Sequence, residues 1–208
     1  MPASVVTGSR ILLQRDIAGD FIAGVAEKSK AVRATPLDPE TKVGAIISAD
    51  HLAKIELHVA AARDAEATLR TGGERLPSDG LFMALTIIDQ VDPSMPIARD
   101  EVFGPVVSLM TFDSLDEAID LANATSYGLS ASVWSRDIDT ALGVGRGVKA
   151  GTVWVNTFMD GAPELPFGGY GQSGLGRELR QSAVADYTEE KTFHVHKGPR
   201  TSWWLPRT

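Results

Sequence analysis

The sequence predicts an α/β fold, in which a mostly parallel sheet is flanked by helices. Short apolar or alternating segments, which are typical of strands, take turns with segments whose apolar residues recur at helical spacing. Most of the helical segments are long enough to carry the chain back across a sheet, and this favours parallel pairing of the strands. The apolar fraction of 43% is sufficient for a buried core.

The elements follow one another in a regular order. The strand-like segments are 10–14, 85–89, 106–112, 129–135, 151–156 and 191–195. The helical segments are 16–33, 48–70, 114–124, 137–147 and 177–185. Asp16 is placed to cap the first helix, Gly72 and Gly73 follow the second, and Asp116 and Glu117 lie in a first turn. Proline and glycine mark the main loops, which are 36–39, 93–105 and 166–176.

The composition excludes several classes of function. The 208 residues carry 20 Lys+Arg and 27 Asp+Glu, and the net charge of −7 disfavours non-specific binding to nucleic acid or an anionic membrane. There is no cysteine, which removes disulfides, thiolate metal sites and cysteine nucleophiles. The first residues lack the pattern of a signal peptide and no apolar run is long enough to span a membrane, so we expect a cytoplasmic protein.

Short motifs carry the most specific information in the chain. They are Glu101-Val102-Phe103-Gly104-Pro105, Tyr127-Gly128-Leu129, Ala150-Gly151-Thr152-Val153-Trp154-Val155-Asn156, Pro166-Phe167-Gly168-Gly169 with Ser173-Gly174, and Tyr187-Thr188-Glu189. Together and in this order, with 36–44 and 51–55 in familiar places ahead of them, they resemble the C-terminal, catalytic-domain half of the aldehyde dehydrogenase superfamily. The resemblance runs from Thr7 to about Val195 and implies the α/β catalytic-domain fold of that family.

The resemblance also implies a cofactor site. Family members oxidise aldehydes with a cysteine thiolate and a nicotinamide cofactor, NAD(P). The acid of the first motif binds the hydroxyls of the nicotinamide ribose and the aromatic residue packs nearby; here these positions are Glu101 and Phe103. The alternative is that Phe103 is a core residue and Glu101 a solvated loop acid.

On the substrate side, the resemblance places Asn156 at the end of a strand beside the substrate funnel and Phe167 at the funnel wall. The loop between them varies with substrate in the family and carries Phe158, Asp160 and Glu164 here, with Met159. Two acids at the rim would favour neutral or cationic ligands, unless they are ordinary surface acids. Glu101, Asp160 and Glu164, with Glu178, are candidates for acid/base chemistry.

This sequence departs from the family at the nucleophile. The position expected for the catalytic cysteine is Val5, which has no nucleophilic atom, and the neighbouring hydroxyls of Ser4 and Thr7 would need a base. The nearest histidine in sequence is His51. The motifs of the family's NAD-binding domain, including its phosphate-binding turn and upstream glutamate, are also missing, so we expect no tightly bound cofactor and no independent aldehyde oxidation.

The organisation suggested by the resemblance has three parts. Residues 1–186 form a truncated catalytic-like domain, 187–197 an oligomerisation strand, and 198–208 a tail with Trp203 and Trp204. A parallel sheet that lacks its first strand exposes backbone and apolar surface, so we expect a homo-oligomer or a second chain that covers it, and no nucleic-acid or membrane partner. His194 and His196 share a strand face without an obvious third ligand, so no metal site is predicted.

Three functions remain open at this point. The first is a repurposed domain that keeps a small-molecule pocket for binding or for non-redox acid/base chemistry. The second is an interaction or regulatory subunit, half of a split enzyme that works with a partner chain. The third is an NAD(P)-dependent aldehyde oxidoreductase completed in trans.

Overall fold

The computed structural model describes residues 8–36 and 38–198, and its strands and helices alternate along the chain. The strands are β1 Arg10–Gln14, β2 Thr68–Thr71, β3 Thr86–Asp89, β4 Val106–Phe112, β5 Tyr127–Gly128, β6 Ser130–Val133, β7 Thr152–Val155 and β8 Tyr170–Gly171. The helices are α1 Arg15–Lys30, α2 Ala49–Asp64, α3 Pro96–Arg99, α4 Leu115–Asn123 and α5 Ile138–Gly147, followed by a 3₁₀ helix, Gln181–Tyr187. The predicted α/β class is confirmed.

The largest sheet has four strands in the order β1-β4-β3-β2. Strand β4 pairs in parallel with β1 and with β3, whereas β2 joins the edge of β3 antiparallel. Two smaller pairs complete the architecture, β6 with β7 in parallel and β5 with β8 antiparallel. The sheet structure is therefore mainly parallel, but in the described part of the chain it is divided into separate pieces.

The hydrophobic core lies between α2 and the largest sheet. Leu52, Ile55 and Val59 recur at helical spacing along α2 and are at most 2% exposed, because this face of the helix packs on the sheet. All residues of β3 are buried, as expected for a strand that is covered on both faces. Met83 and Met110 complete the centre of the cluster.

The last turn of α4 connects the two parallel pieces. The Arg10 guanidinium, at the start of β1, donates hydrogen bonds to the carbonyl oxygens of Leu121 (3.1 Å) and Ala122 (3.0 Å). Burial lowers the pKa of Arg10 from its ordinary value. Asn123 donates to the Gly147 carbonyl (2.9 Å) and accepts from the Lys149 backbone N–H (2.7 Å), just before β7. The amino ends of β1 and β7 are thus attached to neighbouring residues of one helix.

Some sequence-based expectations are wrong in their bounds. The helix predicted over 48–70 ends at Asp64, because Glu66 has a left-handed backbone (φ 67°) and the chain then pairs with β3 as β2. The loop over 93–105 contains the short helix α3. The helix predicted over 16–33 ends at Lys30.

The C-terminal expectations need larger corrections. The helix predicted over 177–185 does not form, since Leu179 (φ 59°) and Arg180 (φ 56°) are left-handed and only a 3₁₀ helix follows. Residues 188–198 have no regular secondary structure, so the strand predicted over 191–195 is absent from the single chain. Phe193 and Val195 are more than three-quarters exposed there, at 78% and 76%. Among the described residues, no helix is long and apolar enough to cross a membrane.

Candidate functional site

The loop that carries Glu101 and Phe103 rests on the first turns of α2. Ser48 caps this helix by accepting a hydrogen bond from the His51 backbone N–H (3.1 Å). The His51 Nε2 lies 2.8 Å from the Phe103 carbonyl oxygen, and the two rings meet edge to face with centroids 6.1 Å apart. One turn later, Ile55 packs so closely on Gly104 that a side chain there would collide with it. Residues of α2 therefore fix the backbone of this loop.

The two predicted cofactor residues are on this loop and face solvent. Phe103 has a left-handed backbone (φ 52°) and is 46% exposed, so it is not a core residue in this chain. Glu101 is exposed, and its carboxylate makes no hydrogen bond or ion pair with residues 8–36 or 38–198. Both side chains are accessible, and the position of Phe103 is set through its carbonyl and ring.

Asn156 lies directly after β7, where its amide connects the ends of the parallel pair. Its Oδ1 accepts from the Ser135 backbone N–H and its Nδ2 donates to the Ser135 carbonyl, both at 2.9 Å. The backbone at Asn156 is left-handed (φ 55°), a conformation that asparagine adopts more readily than most residues. The side chain predicted to line the substrate funnel thus holds the two strand ends together.

The loop after Asn156, residues 157–165, is organised by aromatic and backbone contacts. The Trp154 Nε1–H donates to the Asp160 carbonyl oxygen, and the Trp154 and Phe158 rings pack edge to face at 5.4 Å. Ser132 of β6 donates to the Thr157 carbonyl (2.6 Å). These contacts bring Phe158 and Asp160 together beside the carboxyl end of β7. The sequence pattern does not single out Trp154, because within a strand it has the appearance of a packing residue.

The remaining candidates differ in their surroundings. Phe158 is 42% exposed, and Asp160 and Glu164 are exposed on the same loop. Phe167 is half-buried and forms an antiparallel bridge with Glu178, while the next residue, Gly168, touches Gly151 at the amino end of β7. Asn156 and Gly151 flank opposite ends of this strand, so Phe167 is anchored away from the cluster around Phe158.

Two surface clefts lie elsewhere on the molecule. One, of about 220 Å³, is lined by Arg70 and small or apolar residues of α1. The other, of about 340 Å³, lies where β3 and β4 end and includes Asp92 and Glu117. Neither contains a predicted site residue. Within the described ranges, no group of three His, Asp or Glu side chains could hold a metal ion.

Some predicted positions lie outside the described residues. These are Val5, with the hydroxyls of Ser4 and Thr7, and the tail residues Trp203 and Trp204.

Comparison with known proteins identifies the class. The profile of the Aldehyde dehydrogenase family matches residues 4–193, and this chain belongs to that family. It is 40% identical over 192 residues to an aldehyde dehydrogenase of Davidiella tassiana, covering 92% of this chain and 39% of that protein. It is 39% identical over 204 residues to the betaine aldehyde dehydrogenase of Bacillus subtilis, covering 95% and 41%.

Solved structures give the same result. An NAD-dependent aldehyde dehydrogenase from Sinorhizobium meliloti superposes with a TM-score of 0.91 at 44% identity, over 98% of this chain and 41% of that one. The betaine aldehyde dehydrogenase of Staphylococcus aureus in complex with NAD+ gives a TM-score of 0.87 at 38% identity, over 96% and 41%. The chain spans about two-fifths of the length of these relatives.

Proposed function

We propose that these 208 residues form an aldehyde dehydrogenase-like domain that binds a neutral or cationic small molecule and does not carry out cysteine-dependent aldehyde oxidation by itself. The observation that carries the proposal is the absence of cysteine from the sequence. The loop 157–165, on the proposed ligand side, is nevertheless held by contacts within the chain, such as the hydrogen bond from Trp154 to the Asp160 carbonyl oxygen. Without a thiol no covalent bond to the aldehyde carbon forms in the usual way, so the hydride step has no intermediate to act on.

The ligand surface consists of Phe158 and Asp160 beside Asn156, whereas Phe167 is anchored near the opposite end of β7 and lies outside this surface. Residues 157–166 include Asp160 and Glu164 but no Lys, Arg or His, so the loop presents negative charge beside an exposed ring. A cation gains from both features, because it is attracted by the carboxylates and by the face of an aromatic ring. Glu101, Asp160 and Glu164 are the groups available for acid/base chemistry, since carboxylates can accept or return a proton.

The names of the relatives suit this ligand class. The Bacillus subtilis and Staphylococcus aureus relatives are betaine aldehyde dehydrogenases, and betaine aldehyde carries a quaternary ammonium group.

For the cofactor, we propose that Glu101 and Phe103 keep the family positions but do not bind NAD(P) tightly. Both side chains are solvent-exposed, and no described residue forms a hydrogen bond or ion pair that would orient the Glu101 carboxylate.

Calorimetric titration of the purified chain tests the ligand class. Choline is the cationic probe, 3,3-dimethylbutanol its neutral isostere and acetate the anionic control. We expect choline to bind more tightly than the isostere, and acetate not to bind. The double variant Asp160→Ser, Glu164→Gln should remove the preference for the cation. Equal binding of choline and the isostere to the unmodified chain would refute the proposed charge selectivity.

A coupled assay tests the chemistry separately. The chain is mixed with betaine aldehyde and NAD+, and NADH is followed by its absorbance. We expect no NADH above the background without protein, and fluorescence titration should show no tight NAD+ binding. Robust NADH formation by the chain alone would overturn the proposal that it lacks independent oxidation.

Open strand edges favour a second candidate function, that of a subunit that pairs with another polypeptide. The backbone N–H and C=O groups of Ser9 and of every second residue after it point toward β4. The backbone groups of Arg10, Leu12 and Gln14 point the other way, where no strand of the described chain pairs with them. Trp134 (67% exposed) and Ile138 (55%) add apolar surface near β6. Light scattering at several concentrations tests this: a stable monomer throughout would exclude self-association.

A further inference from the structure

We infer that the Asp160–Gly161 step is a site of spontaneous isoaspartate formation, and that Trp154 directs the reaction toward the isoaspartate product. The inference starts from a pair of chemically identical steps, since the sequence also contains Asp79–Gly80. An aspartate followed by glycine is the most reactive arrangement, because a glycine nitrogen is not shielded by a β-carbon and its backbone rotates freely. The two steps differ only in their surroundings.

The surroundings of Gly161 leave its backbone nitrogen accessible. Asp160 and Gly161 are both exposed, and nothing lies within 4 Å of the position that a β-carbon on Gly161 would occupy. The Gly161 N–H is not used in a hydrogen bond to any described residue. The Gly161 N–H can therefore approach the Asp160 carboxyl group without losing a hydrogen bond of its own, and the contact on this peptide is the Trp154 hydrogen bond to the Asp160 carbonyl oxygen.

The surroundings of Gly80 restrain the equivalent step. The buried Phe82 ring lies against the Cα of Gly80, where a β-carbon would come within 2.6 Å of it. The Ser78 hydroxyl donates to the Gly80 carbonyl oxygen (3.3 Å). Ring closure at Asp79 would have to move Gly80 against the Phe82 ring and against the Ser78 hydrogen bond, so Asp79–Gly80 serves as an internal control.

The first step closes a ring. A bond forms between the Gly161 nitrogen and the Asp160 Cγ, and the amide hydrogen and one proton from solvent leave with a carboxylate oxygen as water. The product is a cyclic imide in which both the Cγ and the main-chain carbonyl carbon of Asp160 are bonded to the same nitrogen. No electrons are transferred, and no co-reactant other than water and a proton is needed.

The second step is hydrolysis, and here Trp154 determines the outcome. Water that attacks Cγ restores aspartate, whereas water that attacks the main-chain carbonyl carbon breaks its bond to nitrogen, returns a hydrogen to that nitrogen and leaves a carboxylate and a proton. The Trp154 Nε1–H already donates to this main-chain oxygen. The donor polarises that carbonyl, stabilises the negative charge that develops on its oxygen, and forms a charge-assisted hydrogen bond with the resulting carboxylate.

The product differs from the original loop in shape but not in charge. The chain gains one backbone carbon at residue 160, and the carboxylate moves from the side chain to a position beside Trp154. Under the proposed function this places the negative charge closer to the Trp154 and Phe158 rings. That consequence rests on the proposed ligand site, whereas the modification itself does not.

The test is mass spectrometry of the full chain after incubation near neutral pH at physiological temperature. Tryptic peptides that contain Asp160 and Asp79 are separated, and fragmentation that distinguishes the two isomers quantifies each site. We expect isoaspartate to accumulate about tenfold faster at residue 160 than at 79, because the surroundings of Gly161 are open whereas Gly80 is packed on the Phe82 ring and held by Ser78. In urea the two rates should converge. Equal rates in the folded chain, or no isoaspartate at 160, would overturn the inference.

The role of Trp154 has a separate readout, the ratio of isoaspartate to aspartate formed from the imide. Trp154→Phe removes the N–H donor and keeps a ring beside Phe158, and we expect it to shift the ratio toward aspartate. The unfolded wild-type chain lacks the same hydrogen bond and should show the same shift, so the test holds even if the variant is unstable. An unchanged ratio in both would show that Trp154 does not direct hydrolysis. None of these measurements involves a ligand or NADH, so they are independent of the proposed function.

Discussion

The His51 imidazole on α2 is hydrogen-bonded to the carbonyl oxygen of Phe103 in the loop before β4, with 2.8 Å between Nε2 and the oxygen. This hydrogen bond secures a residue whose left-handed backbone is unfavourable for a phenylalanine. The hydrogen must therefore be on Nε2, since a carbonyl oxygen only accepts. The helix α2 controls the Glu101–Phe103 loop through this contact.

Removing the imidazole should loosen that loop. We expect His51→Ala to lower the free energy of unfolding by about 1 kcal/mol, the net value of one hydrogen bond, and His51→Gln to recover part of it by supplying another N–H donor. Urea unfolding measures both variants. If His51→Ala is as stable as the wild type, the hydrogen bond does not fix Phe103.

Arg180 occupies a backbone conformation that favours glycine, with φ 56° and ψ 152°. We expect Arg180→Gly to raise the free energy of unfolding by about 1 kcal/mol. The backbone strain that is relieved in the folded state outweighs the conformational entropy that glycine adds to the unfolded chain. Arg180→Ala, which keeps the β-carbon but loses the charge, is the matched control and should not stabilise. Equal stabilisation by both variants would indicate a charge effect instead.

Two glycines should respond in opposite directions to the same substitution. A β-carbon on Gly151 would overlap the Gly168 carbonyl oxygen, so Gly151→Ala should cost about 1–3 kcal/mol of unfolding free energy. Gly143, within α5, has nothing within 4 Å of the same position. Gly143→Ala should therefore stabilise by about 0.5–1 kcal/mol through helix propensity. Thermal unfolding distinguishes the two signs, and a loss of stability in Gly143→Ala would contradict the open surroundings of Gly143.

The pair formed by Arg15 and Asp113 should give a defined pH dependence. The two hydrogen bonds from the guanidinium, at 2.5 and 2.8 Å, lower the pKa of the Asp113 carboxyl from its ordinary value of 3.8. A lowered pKa in the folded state means that the stabilisation is present above pH 3.8 and is lost as the pH falls through the folded-state pKa.

We therefore expect Asp113→Asn to lower the urea midpoint slightly at neutral pH, with the difference from wild type disappearing in acid. Asp120→Asn, a change at another exposed acid nearby, should show no such convergence. If the urea midpoints of Asp113→Asn and the wild type differ by a constant amount from neutral pH into acid, the carboxylate is not the source of the effect.

The exposed ring of Phe158 should contribute to cation binding under the proposed function. We expect Phe158→Leu to weaken choline by roughly twofold to fivefold, the range of an exposed cation–π contact, and to leave the neutral isostere unchanged. Leu165→Ala alters another exposed apolar residue of the same loop and serves as the control. Equal losses for choline and its isostere would assign Phe158 a purely apolar role.

Parts of the fold can be predicted because local signals and tertiary packing agree. The bounds of β1 and β4 follow from their apolar runs, and Ser114 and Asp137 cap α4 and α5 at the predicted starts. Strand β2 cannot be predicted in this way, since Ala67 and Leu69 continue the apolar pattern of the preceding helix and only pairing with β3 makes the segment a strand.

The site shows the same limit. The family motifs locate Glu101, Phe103 and Asn156, but they do not show that the Asn156 amide holds Ser135 or that Trp154 holds the Asp160 carbonyl. Such hydrogen bonds depend on where β6 and β7 meet, which is a tertiary property. Likewise, no residue-type signal marks Leu179 and Arg180 as left-handed, because neither is glycine, asparagine or aspartate.

The distribution of the core has a consequence for how the molecule opens. The clustered core residues lie between Leu52 and Met110, whereas from Tyr127 onward the buried apolar side chains of the described chain are Ala141 and Ala150. Amide hydrogens of β6 and β7 should therefore exchange through partial openings that leave β3 and β4 intact. The candidate ligand loop belongs to the part of the molecule that unfolds first, so a bound ligand would protect that part of the molecule before it protects the rest.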